Sequence, residues 1–174
     1  MYFDSTTSTY VACTLCLLSR LCDILTTRLA SPRLTLEANP IAKKLGWTYV
    51  LLTALAGLLP LHDMALGMAV TIASFLVAFS NAAKILAYRQ LGEEAIKAIL
   101  ISSVRSLGAF KTWLFMVSPA VVSAFIGMTI FISTGRYPNE MIYGAMLGFL
   151  AFPPLVFLYS ALVVARIRRT IAAA

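Results

Sequence analysis

The segment SRLCDILTTRLASPRLTLEANPIAKK, residues 19–44, places charged side chains inside an apolar run. Arg20 and Asp23 interrupt a series of Leu, Cys and Thr residues, and a short loop then leads to the motif EANP at 37–40. An ionisable side chain within an apolar helix is costly unless it is paired or faces a polar interior. The segment therefore predicts a helix with a polar buried face, either as a packing element or as part of a functional site.

The composition of the whole chain indicates whether this helix is surrounded by water or by lipid. Of 174 residues, 60% are hydrophobic and only 12% are charged, and the mean hydropathy is +0.88. One soluble core does not bury that much apolar surface, so we predict an integral membrane protein. The polar start MYFDSTTST does not resemble a cleavable signal peptide, and the first apolar segment is expected to remain in the protein.

The apolar windows predict an all-α bundle that forms a single transmembrane domain over residues 1–174. A helix needs roughly 20 residues to cross about 30 Å of hydrocarbon. Five windows meet this length, at about 9–29, 41–61, 64–88, 112–133 and 141–164. A sixth segment, at about 92–108, has apolar residues at helical spacing and polar residues elsewhere, which predicts an amphipathic helix on the membrane surface.

The basic residues predict the orientation of the bundle. Cytoplasmic loops carry an excess of Lys and Arg, and 12 of the 14 basic residues fall in the first loop, around the third loop or in the C-terminal tail. In a chain with five spans these segments lie on one side, and they are cytoplasmic if the N-terminus lies outside and the C-terminus inside. The net charge of +7 then follows from topology and anionic lipid, and no nucleic-acid partner is predicted.

Helical spacing groups several polar side chains at one level of the predicted bundle. Arg20, Asp23 and Thr27 share a face of the first helix, and Asn81 lies at a comparable distance from the same end of the third. We expect these side chains to meet near the inner leaflet, with Lys84 just beyond them. The cluster is either a self-neutralising pair that fixes packing or a site for a ligand, ion or proton.

The loop motif has two readings of its own. Asn39 is placed to cap the second helix, and Pro40 suits its first turn. Glu37 either forms a surface ion pair or folds inward beside Asp23 as a second acidic ligand.

Three short motifs together resemble a known group of proteins. The combination of DILTT at 23–27, EANP at 37–40 and FSNAAK at 79–84 is similar to small prokaryotic multi-pass membrane proteins of unknown function. The resemblance covers the N-terminal half and implies no activity. The positions that it matches are Asp23, Thr26, Thr27, Glu37, Asn39, Pro40 and Asn81.

The last predicted helix carries signs of close packing. Gly144 and Gly148 form a small-xxx-small face that lets helices approach each other, within one chain or between chains. Pro153 and Pro154 remove two amide donors in mid-span. The carbonyls that they free either belong to a static bend or line a pathway.

The sequence does not point to a familiar catalytic or metal site. Cys13 and Cys16 are interpreted as small apolar fillers rather than a redox pair, and with His62 as the one histidine no metal site is predicted. No known catalytic motif is present, which favours a protein that is not an enzyme. Chemistry at Asp23 and Glu37 remains open, and no cofactor can be named.

Two functional classes follow from these features. The first is an accessory or assembly subunit of a larger complex in a bacterial or archaeal cell membrane, with the lipid bilayer and either a protein partner or further copies of the chain as its neighbours. The second is a small transporter or intramembrane binding protein that uses Asp23, Glu37 and Asn81. The lack of an evident internal repeat favours the first.

Overall fold

A computed structural model describes residues 5–30, 40–134 and 139–172 of the chain. Within these ranges the backbone is helical apart from short turns and contains no β-strand, so the predicted all-α class is confirmed. The described helices are α1 (Ser5–Ala30), α2 (Pro40–Leu52), a 3₁₀ helix (Thr53–Leu61), α3 (Met64–Leu91), α4 (Glu93–Leu107), α5 (Ala109–Thr134) and α6 (Glu140–Ala172).

Five segments of the described chain are long and apolar enough to cross a membrane, as the sequence predicts. They are Thr7–Ala30, Lys44–Leu61, Met64–Ala82, Ala109–Thr134 and Glu140–Ala172. This arrangement is consistent with a multi-pass membrane protein. The predicted amphipathic segment corresponds to α4, which connects α3 to α5.

The second span differs in detail from the regular helix that its apolar sequence predicts. The helix α2 breaks at Gly46, where φ is 65° and ψ is −151°, and the chain continues from Thr53 as a 3₁₀ helix. A 3₁₀ helix rises about 2.0 Å per residue against about 1.5 Å in an α-helix. The nine residues of the 3₁₀ helix therefore cover about 18 Å, against about 14 Å for the same number of residues in an α-helix.

The long helix α3 is the centre of the bundle. It packs along α1 and the 3₁₀ helix on one side and along α6 on the other, while α5 packs against α6. The helix begins after a tight turn in which the carboxylate of Asp63 accepts a hydrogen bond from the Leu66 amide at 2.8 Å. Capping of this kind satisfies an amide that the helix itself leaves without a partner.

Glycines on α6 make the contact with α3 possible. A Cβ atom at Gly148 would lie 2.7 Å from the carbonyl oxygen of Ala69, and one at Gly144 would collide with the carbonyl oxygen of Ala65. The small-xxx-small face predicted from the sequence thus joins two helices of the same chain. Because lipid and side chains are equally apolar, such close packing is a main source of helix association in membranes.

The prolines of α6 do not interrupt the helix, which is continuous through Pro153 and Pro154. Pro153 has no amide hydrogen to donate to the carbonyl of Phe149. That carbonyl instead accepts a hydrogen bond of 2.9 Å from the Ser123 hydroxyl on α5. Because the Phe149 carbonyl is already hydrogen-bonded between α5 and α6, this bond favours a static role for the proline pair over the lining of a pathway.

Two glycines set the direction of α4. Gly92 precedes the helix with φ 78° and ψ 160°, and Gly108 follows it with φ 84° and ψ 156°. This region of backbone space is essentially restricted to glycine. The chain therefore turns sharply on leaving α3 and again on entering α5, which places a separate amphipathic helix between two spans.

We expect Gly148→Leu to lower the free energy of unfolding by about 1–3 kcal/mol, because a side chain at this position overpacks the α3–α6 contact. Thermal unfolding in detergent should show a fall of several degrees in Tm. The matched control is Ala151→Leu, at an exposed position of the same helix, which should leave Tm unchanged. Equal Tm values for the two variants would contradict the packing role of Gly148.

Candidate functional site

An ion pair within α1 forms the centre of the candidate site. The Arg20 Nη1 atom lies 2.8 Å from Asp23 Oδ2, and the two side chains are 15% and 14% exposed. Their spacing of three residues places both on one face of the helix. Each charge thus has an opposite charge beside it where bulk water is largely excluded.

The Arg20 guanidinium also reaches two other segments of the bundle. Its Nη1 atom donates to the Ser74 hydroxyl of α3 at 3.0 Å. Its Nε atom donates to the Thr53 carbonyl at 3.3 Å, and its Nη2 atom donates to the Thr53 hydroxyl. One side chain of α1 is therefore hydrogen-bonded both to α3 and to the first residue of the 3₁₀ helix.

A second chain of hydrogen bonds extends from Asp23 toward the C-terminal end of α1. The Thr27 hydroxyl donates to Asp23 Oδ1 at 3.4 Å and accepts a bond of 3.0 Å from Asn81 Nδ2 on α3. The structure thus brings Asp23, Thr27 and Asn81 together, as the helical spacing predicts. Together with Arg20, Thr53 and Ser74 they form a set of side chains that we call the polar cluster.

Small residues let α1 and α3 come close enough for these bonds. The thiol of Cys16, one turn before Arg20, donates to the Gly67 carbonyl of α3 at 3.4 Å. Thr71 turns its hydroxyl back to the same carbonyl at 2.8 Å, and Ser19 donates to the Cys16 carbonyl at 2.8 Å. All of these side chains are buried. Cys16 therefore acts as a small interface residue, and both Cys13 and Cys16 are buried and free of disulfide bonds.

Of the four remaining predicted site residues, Thr26 and Lys84 are described by the structure, and Glu37 and Asn39 are not. Thr26 turns its hydroxyl to the backbone of its own helix, at 2.8 Å from the Cys22 carbonyl. Lys84 is exposed, one turn beyond Asn81. Glu37 and Asn39 fall outside the described residues, so their predicted roles beside Asp23 and at the helix cap stay predictions.

Thr53 and Ser74 belong to the polar cluster but are not among the predicted site residues. Thr53 is the single hydroxyl residue in the run LLTALAGLLP at 51–60, and that isolation was the available signal. On α3 the signal was the spacing of Gly67, Thr71 and Ser74, because small and hydroxyl residues at alternating intervals of four and three mark a face that packs closely. Neither signal by itself identifies Arg20 as the common partner.

The side chains of the polar cluster are hydrogen-bonded mainly to one another, and this limits the chemistry that they can perform. The carboxylate of Asp23 accepts bonds from a guanidinium and a hydroxyl. Among the described residues, no three His, Cys, Asp or Glu side chains are grouped to hold a metal ion. The arrangement is suited to joining helices and holding fixed charges.

No family model, curated protein or solved structure matches the chain. The fold and the polar cluster define its class as a helical bundle with five segments able to span a membrane and an ion pair within the bundle. The resemblance to small prokaryotic membrane proteins stays a prediction.

We expect removal of either charge of the pair to destabilise the protein more than removal of both. Arg20→Met or Asp23→Leu leaves one charge without its partner, which costs about 3–5 kcal/mol for a buried pair. The double variant Arg20→Met/Asp23→Leu should recover most of that loss. Unfolding free energies of the four proteins in detergent measure the coupling.

Cys22→Ala supplies a control on the same helix, at an exposed position outside the polar cluster. It should unfold like the wild type. A double variant as unstable as the sum of the two single variants would show that Arg20 and Asp23 do not stabilise each other.

Proposed function

We propose that this protein is an accessory or assembly subunit of a larger complex in a bacterial or archaeal cell membrane. In this role the polar cluster fixes the packing of α1, the 3₁₀ helix and α3. The protein contributes a rigid set of helices to the complex rather than a chemical step or a path for a solute.

The observation that carries the proposal is that the Arg20 guanidinium is hydrogen-bonded to side chains and backbone of its own chain. An arginine has five N–H donors, and four of them are used by Asp23, Ser74 and the two oxygens of Thr53. A residue that binds substrate keeps donors available for it. The donors of Arg20 are instead committed to its own chain.

The outer helix α5 supports a role in assembly. It packs along α6 and near the end of α4, and its other face exposes large apolar side chains, including Phe115 at 83% and Phe125 at 75%. A helix with one packed face and one broad apolar face suits contact with helices of another subunit as well as with lipid. Further copies of this chain could supply those helices.

A second candidate function is a small transporter or intramembrane binding protein. The direct contacts of Asp23, Thr27 and Asn81 favour it, because carboxylate, hydroxyl and amide oxygens on one level are the groups that bind cations or polar headgroups. Glu37 would then be the second acid. The two candidates differ in whether the charge of Asp23 is needed once the fold is secured.

Purification in mild detergent from the native host separates the two candidates. Tagged wild-type protein and the Arg20→Met/Asp23→Leu variant should both carry the same companion chains at fixed stoichiometry, because two apolar side chains can pack between the helices once neither charge is left without a partner. Asp23→Asn should weaken that association through loss of packing, together with a lower Tm.

Two results would overturn the assembly role. One is a wild-type protein that purifies as a folded monomer without companions. The other is a double variant that keeps its fold and companions but no longer takes up or binds a solute that the wild type does, which would favour the transporter or binding protein.

A further inference from the structure

An apolar groove lies beside the polar cluster, on a different face of α1 and α3. It has a volume of about 440 Å³ and is open along one side. The residues that line it come from α1, α3 and α6 and are Cys22, Thr26, Ile72, Phe75, Leu76, Ala78, Phe79, Ala82 and Phe149. The hydroxyl of Thr26 is bonded to its own backbone, so the wall presents mainly hydrocarbon.

The length of the groove corresponds to one leaflet of a bilayer. Its lining on α3 extends from Ile72 to Ala82, and ten residues of α-helix cover about 15 Å. The hydrocarbon core of a bilayer is about 30 Å thick. The apolar span on α3 is Met64–Ala82, so the groove lies along its C-terminal half, which the distribution of basic residues predicts to be the cytoplasmic half.

The small size of the groove favours an acyl chain over a helix as its occupant. A helix with its side chains is about 10–12 Å across, so a 15 Å length of helix fills roughly 1,200 Å³. Only one edge of such a helix would enter the 440 Å³ of the groove. A lipid tail is a narrow and flexible chain that can follow the exposed ring of Phe79 along the wall.

A positively charged residue, Arg89, follows the groove toward the C-terminal end of α3. Arg89 is seven residues beyond Ala82, hence on nearly the same face of α3 and about 10 Å further along it. Its side chain is exposed, and a long basic side chain at the end of a span reaches toward the headgroup layer. Charge complementarity thus favours a phospholipid with a net negative headgroup.

We propose that this groove binds one anionic phospholipid, with an acyl chain against α3 and the headgroup phosphate at Arg89. The site is separate from the polar cluster and does not depend on the assembly role. The bound lipid fills the space between α1, α3 and Phe149 of α6 that protein side chains leave open.

Native mass spectrometry of the purified protein with dioleoyl phosphatidylglycerol or dioleoyl phosphatidylcholine tests the site. The wild type should retain the anionic lipid about fivefold more than the zwitterionic one, as one basic side chain near the headgroup layer implies. Arg89→Gln should abolish that preference, and Arg89→Lys should keep it. Equal retention of both lipids by the wild type would overturn the headgroup assignment.

The groove itself is tested by Ala82→Trp, which places an indole in the groove and should lower retention of both lipids several-fold. Ala161→Trp is the matched control, since Ala161 is exposed on α6 and does not line the groove. Equal retention by the two variants would overturn the proposal.

A measurement on the wild type covers the case in which Ala82→Trp does not fold. Phosphatidylglycerol with a photoactivatable diazirine in mid-chain should label peptides containing Cys22–Thr26 or residues 72–82 more than those from the exposed face of α5. Labelling spread evenly over the apolar surface would show a general lipid annulus and no site.

Discussion

The charge of Arg20 is the constraint around which α1, the 3₁₀ helix and α3 are arranged. The guanidinium joins Asp23 on α1, Ser74 on α3 and Thr53 at the start of the 3₁₀ helix. A charged arginine in a bilayer is stable only with such partners, so the helices that supply them are held at fixed distances. The 3₁₀ helix also packs directly against α1 and α3, and the Cys16 thiol donates to its Ala56 carbonyl, so the bonds of Arg20 add to an existing packed contact.

The rest of the packing is arranged around that requirement. Cys16 and Gly67 allow α1 and α3 to approach closely, and the glycines of α6 bring it against the other side of α3. At the far side, Ser123 supplies the hydrogen bond that Pro153 cannot give. These polar groups of the described helices find their hydrogen-bond partners within the chain, and the outer faces are open to lipid or to other subunits.

Helical periodicity predicted a large part of the candidate site. The level shared by Asp23 and Asn81 follows from spacing alone because both helices are regular there. The bond to Thr53 was not predictable from the sequence. The apolar residues of the second span fit an α-helix and a 3₁₀ helix equally well, and the change from one to the other at Thr53 alters which residue faces Arg20. The contribution of Glu37 stays a prediction because it lies outside the described residues.

Nuclear magnetic resonance of ¹⁵N-arginine-labelled protein in lipid nanodiscs most directly tests whether Arg20 joins the three segments, with Arg20→Lys used to assign its signals. Four committed N–H donors should give resolved Nη resonances with slow rotation and slow hydrogen exchange. Rapidly averaged signals that exchange with water as fast as those of the exposed Arg166 would contradict a guanidinium bound by its own chain.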